Sequence, residues 1–172
     1  MNGNKQRLYI VNFFRTPTAG GNPDSYHWGL SSGPKGGSMN GMVLYHVRNL
    51  PTSNGVQWIL EDPFRDLSTG PTPATLTFTA IAKITDLARL QQVIRNVPID
   101  VDATWETFNC KIWVERALQA ITEDGRCIGT NVFGNGWATL EQQCEDFANP
   151  FREMRTAGQE LPVPRPIQDL VG

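Results

Sequence analysis

The feature that most constrains the fold of this chain is a change of hydrophobic period near residue 84. Before it, short apolar runs alternate with turns rich in Gly, Pro, Asn and Asp, which is typical of strands. After it, apolar residues recur at helical spacing. The predicted strands are 8–14, 26–32, 42–49, 56–61 and 75–84, and the predicted helices are 86–96, 109–123 and 139–155. Strands followed by helices predict an α+β domain with an antiparallel sheet.

The sequence predicts one domain over residues 1–158 and an extended tail over residues 159–172. A chain of 172 residues is long enough to bury one sizeable core. Asp86 is expected to cap the first helix. The tail, LPVPRPIQDLVG, is rich in proline and is expected to run extended along the surface.

Charge and hydropathy exclude several classes of function. The formal net charge of −2 argues against a nucleic-acid binder, which needs a basic surface. No run is long and apolar enough for a membrane span, and the N-terminus lacks a signal-peptide core, so we expect a cytoplasmic protein. The Gly-rich stretches TAGGNPDS and GPKGGSMNG are interpreted as turns, not phosphate loops, and no cofactor is predicted.

The only two histidines, His27 and His46, lie in strands that are predicted to pair. A hairpin centred on residues 36–37 places His27 directly opposite His46, with their side chains on one face. The opposite face is then wholly apolar and belongs against a core. That face consists of Tyr26, Trp28, Leu30, Val43, Tyr45 and Val47. Two neighbouring imidazoles can act as a base and its orienting group; two unrelated surface histidines are the alternative interpretation.

Cys110 is predicted at the start of the second helix, on the side that faces the core. Apolar residues follow it at helical spacing, and the positive end of the helix dipole is expected to lower the pKa of its thiol. A small buried packing cysteine is the alternative. The other two cysteines, Cys127 and Cys144, lack this setting, and an odd number without a close pair predicts free thiols.

The segments YHWGL, LYHVRN and FNCKIWVERAL resemble the permuted papain-like proteins of the lecithin–retinol acyltransferase and H-Ras-like suppressor phospholipase/acyltransferase type. The resemblance implies a circularly permuted papain-like (NlpC-type) fold with the elements in the order His, His, Cys. It implies that His27 is the general base, His46 its orienting group and Cys110 the nucleophile. The PPPDE isopeptidases are the nearest alternative family, but they lack a clear counterpart of His46.

Substrate contacts are assigned to residues that flank this triad, namely Trp28, Asn109 and Trp113. The resemblance predicts a cysteine hydrolase or acyltransferase that acts on an ester, thioester or amide through a thioacyl-enzyme. Its substrate would be a small-molecule acyl donor, a lipid or a peptide. A PPPDE-like isopeptidase remains an alternative.

Two further alternatives differ in class. The first is a non-catalytic module that binds a ligand or protein, with Trp28, Trp58 and Trp105 as apolar walls. The second is a zinc site built from His27, His46 and Cys110, although no close ligand pair of the CxxC kind is present. The acidic stretch EDPFRD, which contains Glu61, is interpreted as a solvated loop.

Overall fold

A central strand, β1 (Gln6–Phe13), organises the main sheet of the computed structural model, which describes residues 5–16 and 26–172. Strand β1 pairs antiparallel with β2 on one side and with β7 on the other. The strands after β1 are β2 (His27–Pro34), β3 (Val43–Tyr45), β4 (Val47–Thr52), β5 (Gly55–Leu60), β6 (Arg65–Asp66), β7 (Thr75–Ile84), β8 (Ile128–Asn131) and β9 (Ile167–Asp169). The sheet order is β6-β3-β2-β1-β7-β8, and β9 lies parallel to β7.

Three helices pack on this sheet: α1 (Leu87–Arg95), α2 (Cys110–Asp124) and α3 (Trp137–Thr156). Asp86 caps α1 as predicted, since its Oδ1 accepts a hydrogen bond from Arg89 N at 3.0 Å. The predicted α+β class, with an antiparallel sheet packed by helices, is confirmed. No helix in the described ranges is long and apolar enough to cross a membrane.

The second histidine strand differs from its prediction, because residues 42–49 form two strands that separate at His46. Strand β3 stays in the main sheet, whereas β4 turns away and pairs only with β5 in a separate hairpin. The short strands β6, β8 and β9 were not predicted, since two to four residues carry too little pattern to reveal a strand.

The register between β2 and β3 is shifted by two residues from the predicted one. Ser31 pairs with Leu44 instead of Met42, and His46 consequently lies beside Gly29. The reason is a connection built from two successive turns, in which Gly37 N donates to Pro34 O and Met42 N donates to Met39 O. Because side chains alternate with a period of two, the shift keeps both histidines on the same face.

The two faces of the sheet bury separate clusters. The face beneath the helices holds most of the core, including five members of the predicted apolar face; the sixth, Val43, is partly buried against it. These five are Tyr26, Trp28, Leu30, Tyr45 and Val47. The opposite face holds a smaller cluster around Tyr9, Val11 and Phe13. This smaller cluster is the one that the two histidines adjoin, since Phe13 contacts both imidazole rings.

The proline-rich tail contributes to the sheet through β9. Phe78 of β7 pairs with Ile167, and Phe78 N donates a hydrogen bond to Pro166 O at 3.1 Å. Ile167 packs against the smaller cluster. The tail is therefore a structural part of the sheet edge, while a domain boundary at residue 158 stays a prediction.

Candidate active site

The two imidazole rings meet at the point where β3 and β4 separate. His27 is the first residue of β2, and His46 occupies the break between β3 and β4. His27 Nε2 lies 2.8 Å from His46 Nδ1, which is hydrogen-bond distance. The close approach depends on Gly29, where an added Cβ would lie 3.2 Å from His46 Cβ. The structure thus brings the two predicted histidines together, although in a different register.

Glu61 extends this pair into a chain of three groups. Its Oε2 lies 2.7 Å from His46 Nε2, and its backbone N donates to His46 O at 3.1 Å. Two arginines hold the carboxylate: Arg65 Nε donates to Oε1 at 2.8 Å, and Arg48 Nε lies 3.7 Å from Oε2. Sequence reasoning missed Glu61 by interpreting its segment as a solvated loop. A hairpin between the predicted strands 42–49 and 56–61 could have revealed it, because pairing Val47 with Leu60 places His46 and Glu61 side by side.

The hydrogen bonds determine which ring nitrogens carry protons. An ionised carboxylate only accepts, so His46 Nε2 must donate to Glu61. His46 Nδ1 is then unprotonated in the neutral ring, and it accepts from His27 Nε2. The remaining nitrogen, His27 Nδ1, consequently keeps a free lone pair. The chain Glu61–His46–His27 therefore ends in a base.

Burial keeps both imidazoles neutral. Desolvation lowers the pKa of His27 to about 3, with further lowering by His46 and by the positive charge of Arg15. Desolvation also lowers the pKa of His46, although Glu61 opposes the change. Burial by itself raises the pKa of Glu61, but hydrogen bonds from Arg65 and His46 outweigh it and lower that pKa. The carboxylate is thus ionised near neutral pH while both rings are uncharged.

Cys110 opens helix α2, as predicted. Asn109 caps this helix by accepting a hydrogen bond from Ile112 N at 3.0 Å, and its own Nδ2 donates to Trp105 O at 3.1 Å. The thiol is 1% exposed and lies in the helix-facing core. Its Sγ accepts the backbone N–H of Trp28 at 3.4 Å. Trp28 lies beyond the last residue of β2 that pairs with β3, so the thiol satisfies an N–H that the ladder leaves unpaired on that side.

The expected lowering of the thiol pKa is wrong in sign. Burial raises the pKa of Cys110, and this exceeds the opposing effects of the Trp28 N–H, the Arg15 charge and the N–H groups at the start of the helix. In a desolvated site, the start of the helix lowers the thiol pKa by less than burial raises it. The Cys110 thiol and both imidazoles are therefore uncharged near neutral pH.

His27 and Cys110 are neighbours through the backbone of β2. The residue that donates to Sγ, Trp28, follows His27 directly, and the charge of Arg15 lowers the pKa of both groups. Within the described ranges no hydrogen bond joins Sγ to the His27 ring. Catalytic hydrogen bonds are often long without substrate and shorten when it binds.

The three residues assigned to substrate contacts lie around the thiol in different settings. Trp28 and Trp113 are buried in the core, with Trp113 fully enclosed and its Nε1 without a hydrogen-bond partner in the described part of the chain. Asn109 is half-buried and acts as the helix cap. Their role in substrate binding stays a prediction. Trp105 is 37% exposed and stands closer to solvent than either buried tryptophan.

The remaining polar candidates do not join this site. Cys127 and Cys144 are free and buried, and desolvation raises the pKa of their thiols to about 11 and about 12. Across residues 5–16 and 26–172, no group of three His, Cys, Asp or Glu side chains is arranged to hold a metal ion. The zinc-site hypothesis therefore has no ligand set among these residues.

Comparison with protein-family models matches residues 5–171 to one family, described as a family of unknown function, DUF6914. Searches of curated proteins and of solved structures gave no match. The match spans both the sheet and the helices, including all four residues Glu61, His46, His27 and Cys110. Any function must therefore be argued from the geometry of the site.

Proposed function

Because the chain belongs to the DUF6914 family, whose function is unknown, we propose a function from its own chemistry: a cysteine-nucleophile acyl hydrolase or acyltransferase. The proposed substrate is an ester, thioester or amide, and the proposed intermediate is a thioacyl-enzyme on Cys110. The proposed framework is the permuted papain-like fold, in which the histidines precede the cysteine.

The observation that supports this proposal is the hydrogen-bonded chain Glu61–His46–His27, whose last member directly precedes Trp28, the residue whose backbone N–H donates to the Cys110 thiol at a helix start. Glu61 Oε2 lies 2.7 Å from His46 Nε2, and His46 Nδ1 lies 2.8 Å from His27 Nε2. A structural role alone does not require two histidines in series, each with a defined tautomer. A nucleophile, a base and a group that orients the base are the parts that covalent acyl transfer needs.

The acylation step moves one proton and one electron pair. His27 Nδ1 takes the proton from Sγ as the sulfur attacks the carbonyl carbon, and the carbonyl oxygen becomes an oxyanion. His46 and Glu61 stabilise the imidazolium that forms on His27. The tetrahedral intermediate collapses, the bond to the leaving group breaks, and His27 returns the proton to that group. A thioester on Cys110 remains.

Deacylation repeats the sequence with a second nucleophile. Water or an amine gives a proton to His27 Nδ1 as it attacks the thioester carbon, and the carbon–sulfur bond then breaks. His27 returns the proton to Sγ, which restores the neutral thiol. Hydrolysis and transfer differ only in the identity of this second nucleophile.

The first prediction concerns the intermediate. Incubation with p-nitrophenyl esters should add one acyl group to the wild-type chain, detected by intact-mass spectrometry and mapped to Cys110. Cys110→Ala should remain unmodified, because the sulfur that forms the thioester is absent. Cys127→Ala is the matched control, since it removes a buried thiol outside the site, and it should acylate like the wild type. Acylation of Cys110→Ala, or of no variant, would refute the proposal.

A second candidate function is favoured by one observation, the 1% exposure of the thiol. A thiol that stays buried fits a non-catalytic ligand- or protein-binding module on the same fold. A PPPDE-like isopeptidase is a variant of the enzyme proposal, with an isopeptide as the acyl donor. Absence of acylation with well-folded protein would favour the binding module.

A further inference from the structure

Arg15 is a positively charged side chain beside the thiol that has no acidic partner among the described residues. Its Nη2 donates to Cys110 Sγ at 3.6 Å, a long contact, and it makes no other hydrogen bond in residues 5–16 and 26–172. The two other arginines of the site, Arg48 and Arg65, both pair with Glu61. Arg15 therefore differs from them in leaving most of its donors unused.

A stack of aromatic rings holds the guanidinium in place. The Cζ atom of Arg15 lies 4.1 Å from the centroid of the Trp105 ring. Trp105 packs on Trp58 with ring centroids 5.6 Å apart, and Trp58 packs edge-on against Phe108 at 5.6 Å. Trp58 and Phe108 are buried, so the stack is anchored in the core. The Arg15 guanidinium is thereby oriented before any ligand arrives.

The free donors of Arg15 suit an anion with two or more oxygens. A guanidinium carries five N–H groups in a planar fork that matches carboxylate and phosphate oxygens. Such charge-assisted pairs are strong, and more so where water is partly excluded. The local charge agrees, because Arg15, Arg48 and Arg65 outnumber Glu61 as charged groups of the site.

We propose that Arg15 binds an oxyanionic group, a carboxylate or a phosphate, carried by the acyl donor close to its scissile carbonyl. This inference rests on the proposed function, since it assumes that Cys110 attacks a substrate. The 3.6 Å between Nη2 and Sγ means that an anion held by Arg15 lies within a few bonds of the carbon that Sγ attacks. Arg15 is thus a specificity-determining residue that selects anionic acyl donors over neutral ones.

Two alkylating reagents of the same size test the proposal without a known substrate. Iodoacetate carries a carboxylate and iodoacetamide is neutral. In each reaction Sγ forms a bond to the CH2 carbon, the carbon–iodine bond breaks, and iodide and the thiol proton are released to solvent. The measurement is the rate of Cys110 modification by each reagent at one pH and one ionic strength, followed by mass spectrometry. The ratio of the iodoacetate rate to the iodoacetamide rate should be about tenfold higher in wild type than in Arg15→Gln.

Three variants make the ratio interpretable. Arg15→Lys keeps the charge but loses the fork, so its ratio should lie between those of wild type and Arg15→Gln; it also provides a test if Arg15→Gln fails to fold. Arg95→Gln removes another arginine that stands over an aromatic ring, Phe64, and should keep the wild-type ratio. Cys110→Ala gives the background from the two other thiols.

The outcomes separate the two proposals. Equal ratios in wild type, Arg15→Gln and Arg15→Lys, with Cys110 still alkylated by iodoacetamide, would overturn the role of Arg15 and leave the proposed function standing. Failure of both reagents to modify Cys110 in the folded protein would overturn both. If the ratio falls in Arg95→Gln as much as in Arg15→Gln, the effect comes from net charge, and the proposed anion site at Arg15 is overturned.

A competition experiment distinguishes a carboxylate from a phosphate as the bound group. Acetate and inorganic phosphate are added separately, at matched ionic strength, to the reaction of wild type with iodoacetamide. The anion that slows alkylation more in wild type than in Arg15→Gln identifies the group as a carboxylate or a phosphate. Slowing by neither would overturn the anion site.

Discussion

At the scale of single residues, His46 is the member of the site with the most constraints. Its Nδ1 and Nε2 contact His27 and Glu61 at 2.8 Å and 2.7 Å, and its position depends on the missing side chain of Gly29. Since each ring nitrogen has one partner, the protonation of His46 is set by Glu61. In the proposed function, the carboxylate is consequently a positioning residue that acts on His27 through His46.

Glu61→Gln should slow acylation of Cys110 by about 10²-fold. The amide can donate to His46 Nε2, which allows the reversed tautomers and removes the lone pair from His27 Nδ1. The measurement is the acylation rate across a pH series, because a loss of orientation changes the pH profile while a mild loss of stability does not. Asp62→Asn changes the neighbouring exposed carboxylate and should behave like the wild type. Equal rates for Glu61→Gln and wild type would contradict the assignment.

At the scale of elements, the start of helix α2 positions Cys110, and the break between β3 and β4 positions His46. The Asn109 side chain caps helix α2 by accepting a hydrogen bond from Ile112 N, and its Nδ2 donates to Trp105 O in the preceding loop. The break lets β4 leave the main sheet, which opens room for the thiol beside Trp28. Cys110 is thus positioned where the start of helix α2 meets the first residues of β2.

Asn109→Ala should lower the free energy of unfolding by about 1 kcal/mol, since one orphan N–H at the helix start loses its acceptor. It should also slow acylation, because the start of α2 carries Cys110. Urea denaturation and the acylation rate check the two effects. Asp86→Ala removes the equivalent cap of α1 and should lower stability to a similar extent without slowing acylation. A similar slowing in Asp86→Ala would show that the loss in Asn109→Ala follows stability alone.

At the scale of the whole molecule, the helices cover one face of the sheet and leave the histidines on the other. The larger core lies under the helices, whereas Phe13, which contacts both imidazoles, belongs to the smaller cluster. Strand β9 of the tail adds to the same sheet. The site therefore lies at an edge where both clusters and the separate β4–β5 hairpin meet, and its burial depends on the whole fold.

This burial predicts a loss of stability in acid. His27 has a pKa near 6.5 in the unfolded chain and about 3 in the folded one, so between these values the unfolded state binds more protons. The free energy of unfolding should consequently fall as the pH drops below about 6.5, by as much as about 1.4 kcal/mol per pH unit from this group. Urea denaturation of wild type and His27→Gln at several pH values checks this. The wild type should lose about 2 kcal/mol more than the variant by about pH 5; parallel curves would contradict it.

Sequence patterns reach as far as local geometry allows. The helix around Cys110 and the Asp86 cap follow from residues close in sequence, and the shared face of His27 and His46 follows from the period of two along a strand. The exact partner of each strand residue does not follow, because turns within the 34–42 connection set it. A register shift of two residues leaves every side chain on its original face, so the predicted face is correct although the predicted strand partners are wrong.

What the sequence by itself determined is the class of the longer strands and of the three helices, the face on which the imidazoles stand and the helix start that carries the thiol, because these depend on neighbours within a few residues. Tertiary structure alone decided that Glu61 joins His46, that Arg15 stands 3.6 Å from Sγ, and that burial raises the pKa of Cys110. Those features depend on segments distant in sequence approaching each other and excluding water, and no local pattern records either event.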